Sequence, residues 1–168
     1  MKEKFTTLFH VKASLISLYL ALTIPIPYIS SEKFKIPSLI VFFFGLFLII
    51  SITSDYVETN DQKIYYRTSL ISGIFGKKSW EVFWKDIKLI KSFSTSQGSK
   101  VYYFITNNGK NFLVPQRVEK FEEFLITISK NTGFDIKELS YISPLWTYKL
   151  LTLLSVLMIT GEVIAFYL

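Results

Sequence analysis

Three long apolar stretches divide the chain, and one polar segment lies between the second and the third. The apolar stretches cover about 12–30, 37–53 and 147–168. Each is close to the ~20 residues that a helix needs to cross the ~30 Å hydrocarbon core of a bilayer. The pattern therefore predicts a membrane protein with three transmembrane α-helices. We divide it into a transmembrane hairpin over 1–54, a polar domain over 55–140 and a last transmembrane helix over 141–168.

Prolines mark the expected ends of the first two helices. Pro25 and Pro27 are expected to end the first helix, because each removes a backbone donor. Pro37 is expected in the first turn of the second helix, where a missing N–H costs little. A cleaved signal peptide is the alternative for the first stretch, but Ile24-Pro-Ile-Pro-Tyr28 lacks the small residues of a cleavage site.

The polar segment has the pattern of a small antiparallel sheet followed by one helix. Short aromatic and β-branched runs occur at 56–59, 63–69, 79–83, 87–94, 100–106 and 110–114. Asn107-Asn-Gly109 predicts a tight hairpin turn between the last two runs. After Pro115, apolar residues recur at helical spacing from Val118 to Ile128, and Gly133 is the expected stop. The segment is therefore predicted to be a small α+β domain.

A family resemblance rests on the run from Ser79 to Ile87. Its Trp84 and Ile87, three residues apart, resemble the Trp-x-x-Ile pattern of bacterial membrane proteins with a PH-like domain. The resemblance covers about 55–140 and implies a partly open antiparallel barrel capped by its carboxyl-terminal helix. Because six strand signals are visible where such a barrel has seven, we expect a short first strand or an open side.

Two further resemblances concern the arrangement of the whole chain. Gln97-Gly98, Val101-Tyr-Tyr-Phe104 and Thr132-Gly-Phe-Asp135 resemble an uncharacterised cyanobacterial membrane family of the same layout. Two amino-terminal helices followed by such a domain are also similar in order to a photosystem I assembly factor, although the third apolar stretch departs from that order. These resemblances imply a plasma or thylakoid membrane and a role in assembly.

Charge indicates orientation rather than nucleic-acid binding. The net charge of +6 is spread thinly, without the basic stripe and stacking aromatics that nucleic acids require. Lysines and arginines are instead retained on the cytoplasmic side of transmembrane helices. Those near the amino terminus and the domain's junctions are Lys2, Lys4, Lys12, Lys63, Arg67, Lys130, Lys137 and Lys149. We therefore expect the amino terminus and the domain in the cytoplasm and the carboxyl terminus on the opposite side.

The chain offers little catalytic chemistry. It contains no cysteine, so disulfides and thiolate sites are excluded, and His10 is its only histidine. No triad can be assembled, and no His, Cys and carboxylate residues have metal-ligand spacing. We therefore expect no enzyme, no metal and no cofactor. The acidic turn Thr59-Asn-Asp-Gln62 would also repel phosphate, so no inositol phosphate is expected.

One loop has the composition of a membrane-contact segment. Its apolar members are followed by two lysines: Leu70, Ile71, Ile74, Phe75, Lys77 and Lys78. Apolar residues that dip into the interface, with lysines at the headgroups, are typical of interfacial segments. The alternative is a loop that folds its apolar residues beneath the sheet.

The third apolar stretch contains one acid and one pair of small residues. Glu162 is a candidate intramembrane functional acid, because a carboxylate in hydrocarbon is expensive, or it reaches water at the far interface. Gly161 and Ala165 have the small-xxx-small spacing that lets helices approach closely. The partner helix would belong to this chain or to a different protein.

Two classes of function follow. The favoured one is a non-catalytic, membrane-anchored interaction module that docks a membrane protein or scaffolds assembly of a membrane complex. Its expected contacts are the Gln97-Gly98 turn together with the loop that contains Lys77 and Lys78, or the tyrosines Tyr65 and Tyr102, which are expected to be exposed. The alternative is a small transport or pore component that uses Glu162.

Overall fold

The computed structural model describes residues 2–168, which divide into two compact units. One contains Phe9–Thr53 and Pro144–Leu168, and we call it the helical unit. The other contains Ser54–Ser143 together with residues 2–8, and we call it the polar unit.

The helical unit consists of four helices. They are α1 (Phe9–Thr23), α2 (Pro25–Ile29), α3 (Glu32–Ile52) and α6 (Leu145–Tyr167). Taken with α2 as one segment, α1 is long and apolar enough to cross a membrane, and so are α3 and α6. The prediction of three apolar helices is confirmed.

The prolines act differently from the expectation. Pro25 and Pro27 interrupt the first helix without ending it, because Ile24 keeps a helical backbone (φ −54°, ψ −42°) and α2 continues to Ile29. Pro37 lies inside α3 rather than in its first turn. The reason is that α3 begins at Glu32, an acid that favours a helix amino terminus. Only Ser30 and Ser31 separate α2 from α3.

Small residues mark where α1 and α6 pack together. Ser14 and Ala21 of α1 and Ser155 of α6 are each 1% exposed. Small side chains allow close approach of helix backbones. The two serine hydroxyls donate to carbonyls of their own helices, Ser14 to Val11 O at 3.0 Å and Ser155 to Leu151 O at 2.8 Å. Their burial therefore leaves neither hydroxyl without a partner.

A tyrosine connects α1 to α3. The Tyr19 hydroxyl donates to the Phe42 carbonyl at 2.7 Å. It occupies the space beside Gly45, where an added Cβ would lie 2.3 Å from the hydroxyl oxygen. Gly45 therefore makes this interhelical hydrogen bond possible.

The polar unit contains two antiparallel sheets and two helices. The first sheet has the order β1 (Glu3–Thr6), β2 (Tyr56–Thr59), β3 (Lys63–Arg67) and β4 (Trp80–Phe83). The second has the order β5 (Ile87–Ser94), β6 (Lys100–Thr106) and β7 (Asn111–Leu113). The short α4 (Leu70–Ile74) lies between β3 and β4, and α5 (Phe121–Thr132) follows the sheets.

The first strand, β1, precedes the apolar helices and was assigned to the hairpin by the division at 54. It supplies the seventh strand that the sequence did not reveal. Phe5 is opposite Val57 on β2, and both are buried. The outer edge of β1 is covered as well, because Glu119 N–H donates to Thr6 O and Leu8 N–H donates to Arg117 O, both at 2.8 Å. A four-residue strand with one inward apolar side chain gives almost no sequence signal.

The core of the polar unit lies between the sheets and α5. Trp84, in a 3₁₀ turn after β4, is 4% exposed and its indole N–H donates to Asn60 O at 2.8 Å. Ile87 belongs to the same buried cluster. The buried residues of α5 are Phe121, Phe124, Leu125 and Ile128. Gly133 ends α5 with a φ of 74°, a conformation that favours glycine.

The expected exposure of Tyr102 is wrong. Tyr102 is 2% exposed, and its hydroxyl donates to Glu138 O at 2.5 Å. Its side chain points to the core because β6 buries every second residue, including Phe104 and Thr106. Tyr65, on β3, is half-buried.

We predict different effects for alanine at two helical glycines. Gly45→Ala should lower the midpoint of thermal unfolding in detergent by a few degrees, because the new methyl group displaces Tyr19 and breaks its hydrogen bond. Gly161→Ala is the matched control, since nothing lies within 4 Å of its added Cβ. The control should keep or raise the midpoint through helix propensity. Equal midpoints in the two variants would contradict this role of Gly45.

Candidate functional site: an exposed apolar loop

Leu70–Lys78 forms an apolar loop on the surface of the polar unit. Leu70, Ile74 and Phe75 are 90%, 80% and 69% exposed, and Ile71 is half-buried. The alternative in which the apolar residues fold beneath the sheet does not hold for these three. Several adjacent apolar side chains on a surface mark a site of interaction more often than scattered single ones do.

The shape of the apolar loop is set by its own backbone. Ser69 caps α4, and its hydroxyl oxygen accepts from Ser72 N–H at 3.1 Å. Two further bonds close the turn, from Phe75 N–H to Ile71 O and from Lys77 N–H to Ser72 O. Gly76 has a φ of 83°, which allows the chain to reverse after Phe75. The exposed side chains are therefore presented by an ordered turn.

The buried carboxylate of Asp55 holds both ends of the apolar loop. Asp55 is 4% exposed. Its Oδ1 accepts from Ser69 N–H at 2.8 Å, before the loop. Its Oδ2 accepts from Lys77 Nζ at 2.5 Å, at the end of the loop, and from the Tyr66 hydroxyl at 3.0 Å. Three donors thus compensate for the burial of one charge.

The pKa values of this cluster reflect burial and pairing together. Burial alone would raise the pKa of Asp55, but hydrogen bonds from Lys77 and Ser69 outweigh it and hold the pKa below its usual value. Burial alone would lower the pKa of Lys77, but the bonds with Asp55 and Tyr66 raise it. Both shifts favour the charged pair at neutral pH.

The two lysines of the apolar loop differ. Lys77 is held by Asp55, and its ammonium also lies 5.3 Å from the centre of the Tyr66 ring. Lys78 is exposed and forms no salt bridge within residues 2–168. Of the two predicted headgroup anchors, Lys78 has the more available charge, while Lys77 fixes the loop.

The contribution of Asp55 was missed by sequence reasoning. Its signal was a single carboxylate two residues after the second apolar stretch, where a solvated end of the helix is the ordinary interpretation. The partner Lys77 lies 22 residues further along the chain. No local spacing rule connects residues at that distance.

Of the candidates on α6, the two small residues lie apart from the packing between helices, whereas Glu162 is partly buried. Gly161 and Ala165 are both exposed, and nothing lies near the Cβ position of Gly161. Their small-residue face is therefore free of the other described helices, whereas Ser155 is buried in the bundle. Glu162 is half-buried, and its Oε2 is buried with no hydrogen-bond partner among residues 2–168.

A small pocket of about 120 Å³ lies between β4 and the β6–β7 hairpin. It is smaller than most small-molecule sites, which begin at about 300 Å³. Two charged groups in its lining, Lys63 and Glu81, pair with each other at 3.2 Å. Within residues 2–168, no three His, Cys, Asp or Glu side chains are grouped to hold a metal ion. We assign no ligand to this pocket.

We predict that Asp55→Asn destabilises the polar unit by about 1–2 kcal/mol and loosens the apolar loop. The substitution removes the charge that binds Lys77, and half of the lysine side chain is exposed, which screens the loss. Thermal unfolding and limited proteolysis of the full chain in detergent measure both effects. Glu123→Gln, which removes the exposed pair with Lys120, is the control and should cost less than about 0.5 kcal/mol.

Acid should act through the same carboxylate. The pKa of Asp55 is lower in the folded chain than in the unfolded chain, where it is about 4. The contribution of Asp55 to the free energy of unfolding is therefore complete above about pH 4 and is lost as the pH falls further. Proteolysis within the loop should therefore increase below about pH 4 in the native chain. The Asp55→Asn chain should show high cleavage at every pH, and an identical acid profile in both chains would contradict the assignment.

Comparison with known proteins shows that the chain is similar to a cyanobacterial protein. No protein-family model matches it. The uncharacterised protein slr0269 of Synechocystis sp. is 30% identical over 154 residues, an alignment that covers 88% of this chain and 77% of the relative. The predicted resemblance to an uncharacterised cyanobacterial family is confirmed at this level. The chain belongs to the same family as this Synechocystis protein.

Proposed function

We propose that the protein is a non-catalytic, membrane-anchored interaction module. The three apolar helices anchor it in the bilayer, and the polar unit docks a membrane protein or scaffolds assembly of a membrane complex. The observation that carries the proposal is the exposed apolar loop, whose shape is held by the buried carboxylate of Asp55 and the half-exposed Lys77. An ordered apolar protrusion is suited to binding another surface.

The arrangement of the polar unit supports a PH-like domain. Four antiparallel strands, three further strands and a carboxyl-terminal helix follow one another in the order that the resemblance implies. The strand β1 brings the total from six to seven. Trp84 and Ile87, on which the resemblance rests, are both buried in the core.

The pairing of β1 with β2 supports one part of the expected topology. These strands are hydrogen-bonded neighbours, yet the two apolar segments Phe9–Ile29 and Glu32–Ile52 lie between them along the chain. If both segments cross the membrane, the chain returns to the side on which it started. The amino terminus and the polar unit then share a side, and the flanking lysines favour the cytoplasmic one.

The apolar loop is proposed to contact the bilayer. Burying a leucine, isoleucine or phenylalanine side chain contributes about 1.5–3 kcal/mol, and a lysine near anionic lipid contributes about 1 kcal/mol. Asp55, which holds the loop, follows Ile52, the last residue of α3, after two intervening residues. Three residues of extended chain reach about 10 Å, so connectivity alone keeps Asp55 near that helix end.

We predict that Phe75 lies in the lipid interface. The chain has no cysteine, so Phe75→Cys provides a unique site for a polarity-sensitive fluorophore in nanodiscs. Its fluorescence should shift to the blue and be quenched by lipids that carry a spin label. Gln97→Cys, in the exposed β5–β6 turn, is the control and should resemble a label in water. Equal quenching at both positions would contradict a specific contact of the loop.

The docking function itself is tested in the native membrane. A tagged full chain, extracted in mild detergent and sized on a native gel, should migrate in a stoichiometric complex with another membrane protein. A variant with Leu70→Ser and Phe75→Ser then separates the roles of the loop. If the complex persists while membrane contact is lost, the loop binds lipid and the partner binds elsewhere.

One observation favours the alternative, a transport or pore component. The buried Oε2 of Glu162 has no hydrogen-bond partner within the described chain. A homo-oligomer without another protein, whose size is lost in Glu162→Gln or Gly161→Leu, would support this alternative and contradict the docking function.

A further inference from the structure

The strand β5 is an exposed edge of the three-stranded sheet. Among the described residues it pairs with β6 alone, so the backbone N–H and C=O groups on its other side have no partner strand. It is also long, with eight residues, of which six are exposed. A long exposed edge strand is a ready template for pairing with another chain.

The outer face of this sheet is apolar and aromatic. Tyr102 and Phe104 of β6 are buried, so the alternating residues Val101, Tyr103 and Ile105 lie on the opposite face. The strand register places Phe93, Lys91 and Leu89 directly opposite them on β5. Leu89 is 38% exposed and Phe93 is 44% exposed. The outer face of β5 thus presents an apolar residue, a lysine and a second apolar residue.

The sheet carries only positive charge. Between Ile87 and Leu113 the chain contains four lysines and no Asp or Glu. The four are Lys88, Lys91, Lys100 and Lys110, and all are exposed. The remainder of the polar unit mixes both signs, as the salt bridges of Glu58, Glu81 and Glu123 illustrate. The charge of this surface therefore selects for an acidic partner.

We propose that the β5 edge binds an extended, acidic and apolar segment of a partner protein as an additional strand. The proposal rests on the docking function and specifies its site and the chemistry of its partner. Backbone hydrogen bonds to the free edge provide affinity, and alternate side chains provide selectivity. Apolar residues of the segment lie beside Leu89 and Phe93, and a carboxylate between them pairs with Lys91.

The same features disfavour two other possible occupants of the β5 edge, a second copy of the chain and a lipid bilayer. A second copy would bring together two sheets of the same positive charge, neither of which has an acid to pair with the other's lysines. A bilayer would not satisfy the backbone groups of the edge, and it would draw Lys91, between two apolar residues, into hydrocarbon. The apolar loop differs from this surface because its apolar residues protrude together, with their lysines following.

The test uses the full chain in non-ionic detergent and two labelled peptides of about seven residues. Both have valine at the second and sixth positions and threonine elsewhere, and the fourth position is glutamate in one and lysine in the other. Fluorescence anisotropy should show about tenfold tighter binding of the glutamate peptide. Lys91→Glu should reverse that preference, because it replaces an opposite-charge pair by a like-charge one. Lys120→Glu, on the exposed surface beside α5, is the matched control and should leave the preference unchanged.

Two N-methylated forms of the glutamate peptide test strand addition itself. Each has alternate amides methylated, so one form lacks the N–H groups that face β5 and the other keeps them. The form that keeps the N–H groups facing β5 should bind like the parent peptide, and the form that lacks them should lose binding. Equal behaviour of the two forms, or no preference for the glutamate peptide, would overturn the proposal.

A label at Phe93→Cys distinguishes the remaining occupants. Quenching of this label by spin-labelled lipid in anionic nanodiscs would assign the surface to the bilayer and overturn the proposal. Because the peptide experiment is done without a bilayer, its failure leaves the membrane contact at Phe75 unaffected. A label at Phe75→Cys that shows no lipid contact equally leaves the peptide result unaffected. Membrane contact by the apolar loop and strand addition at β5 can therefore be contradicted independently.

Discussion

The shape of the exposed loop depends on one buried carboxylate. Asp55 accepts hydrogen bonds from donors at the beginning and at the end of the apolar loop, and its own carbonyl accepts from the Thr7 hydroxyl at 2.8 Å. The residue thus joins the loop to the chain that leaves β1. Burial of this charge is tolerated because its donors are held in place, so the cluster behaves as one unit. Apolar side chains at the tip can remain in solvent because polar groups at the base fix their backbone.

The helices were the most predictable part of the fold, because a run of about twenty apolar residues matches the thickness of a bilayer and exceeds what a small core can bury. The amphipathic period and Gly133 similarly indicated α5. The strand β1 was missed because its pairing partner lies beyond two apolar helices. Tyr102 was misjudged for a related reason. A tyrosine in a strand can lie on either face of the sheet, and only the register decides which. Here the Tyr102 hydroxyl donates to the Glu138 carbonyl, in the segment that follows α5.

The candidate sites were likewise only partly predictable, because they depend on contacts between residues far apart in the sequence. Composition identified the residues of the apolar loop, but whether they fold inward or protrude depends on Asp55 and Lys77, which no local pattern connects. The absence of acids from Ile87 to Leu113 is visible in the sequence. It acquires meaning only when the register shows that Leu89, Lys91 and Phe93 share one outer face. The residue types of a candidate site can therefore be identified from the sequence, whereas the surface on which their side chains lie is known only from the fold.

The position of β1 has a consequence for biosynthesis. The ribosome makes β1 first, but about fifty residues, including two apolar helices, follow before its partner β2 is made. Closing so long a loop is slow relative to local folding, so we expect β1 to stay unpaired until both apolar helices and β2 have been made. If both apolar helices cross a membrane, insertion of only one of them would leave β1 and β2 on opposite sides, whereas insertion of both leaves the two strands on one side. Pairing of β1 with β2 would then distinguish a chain with both helices inserted from a chain with only one, but not the two orientations of the hairpin.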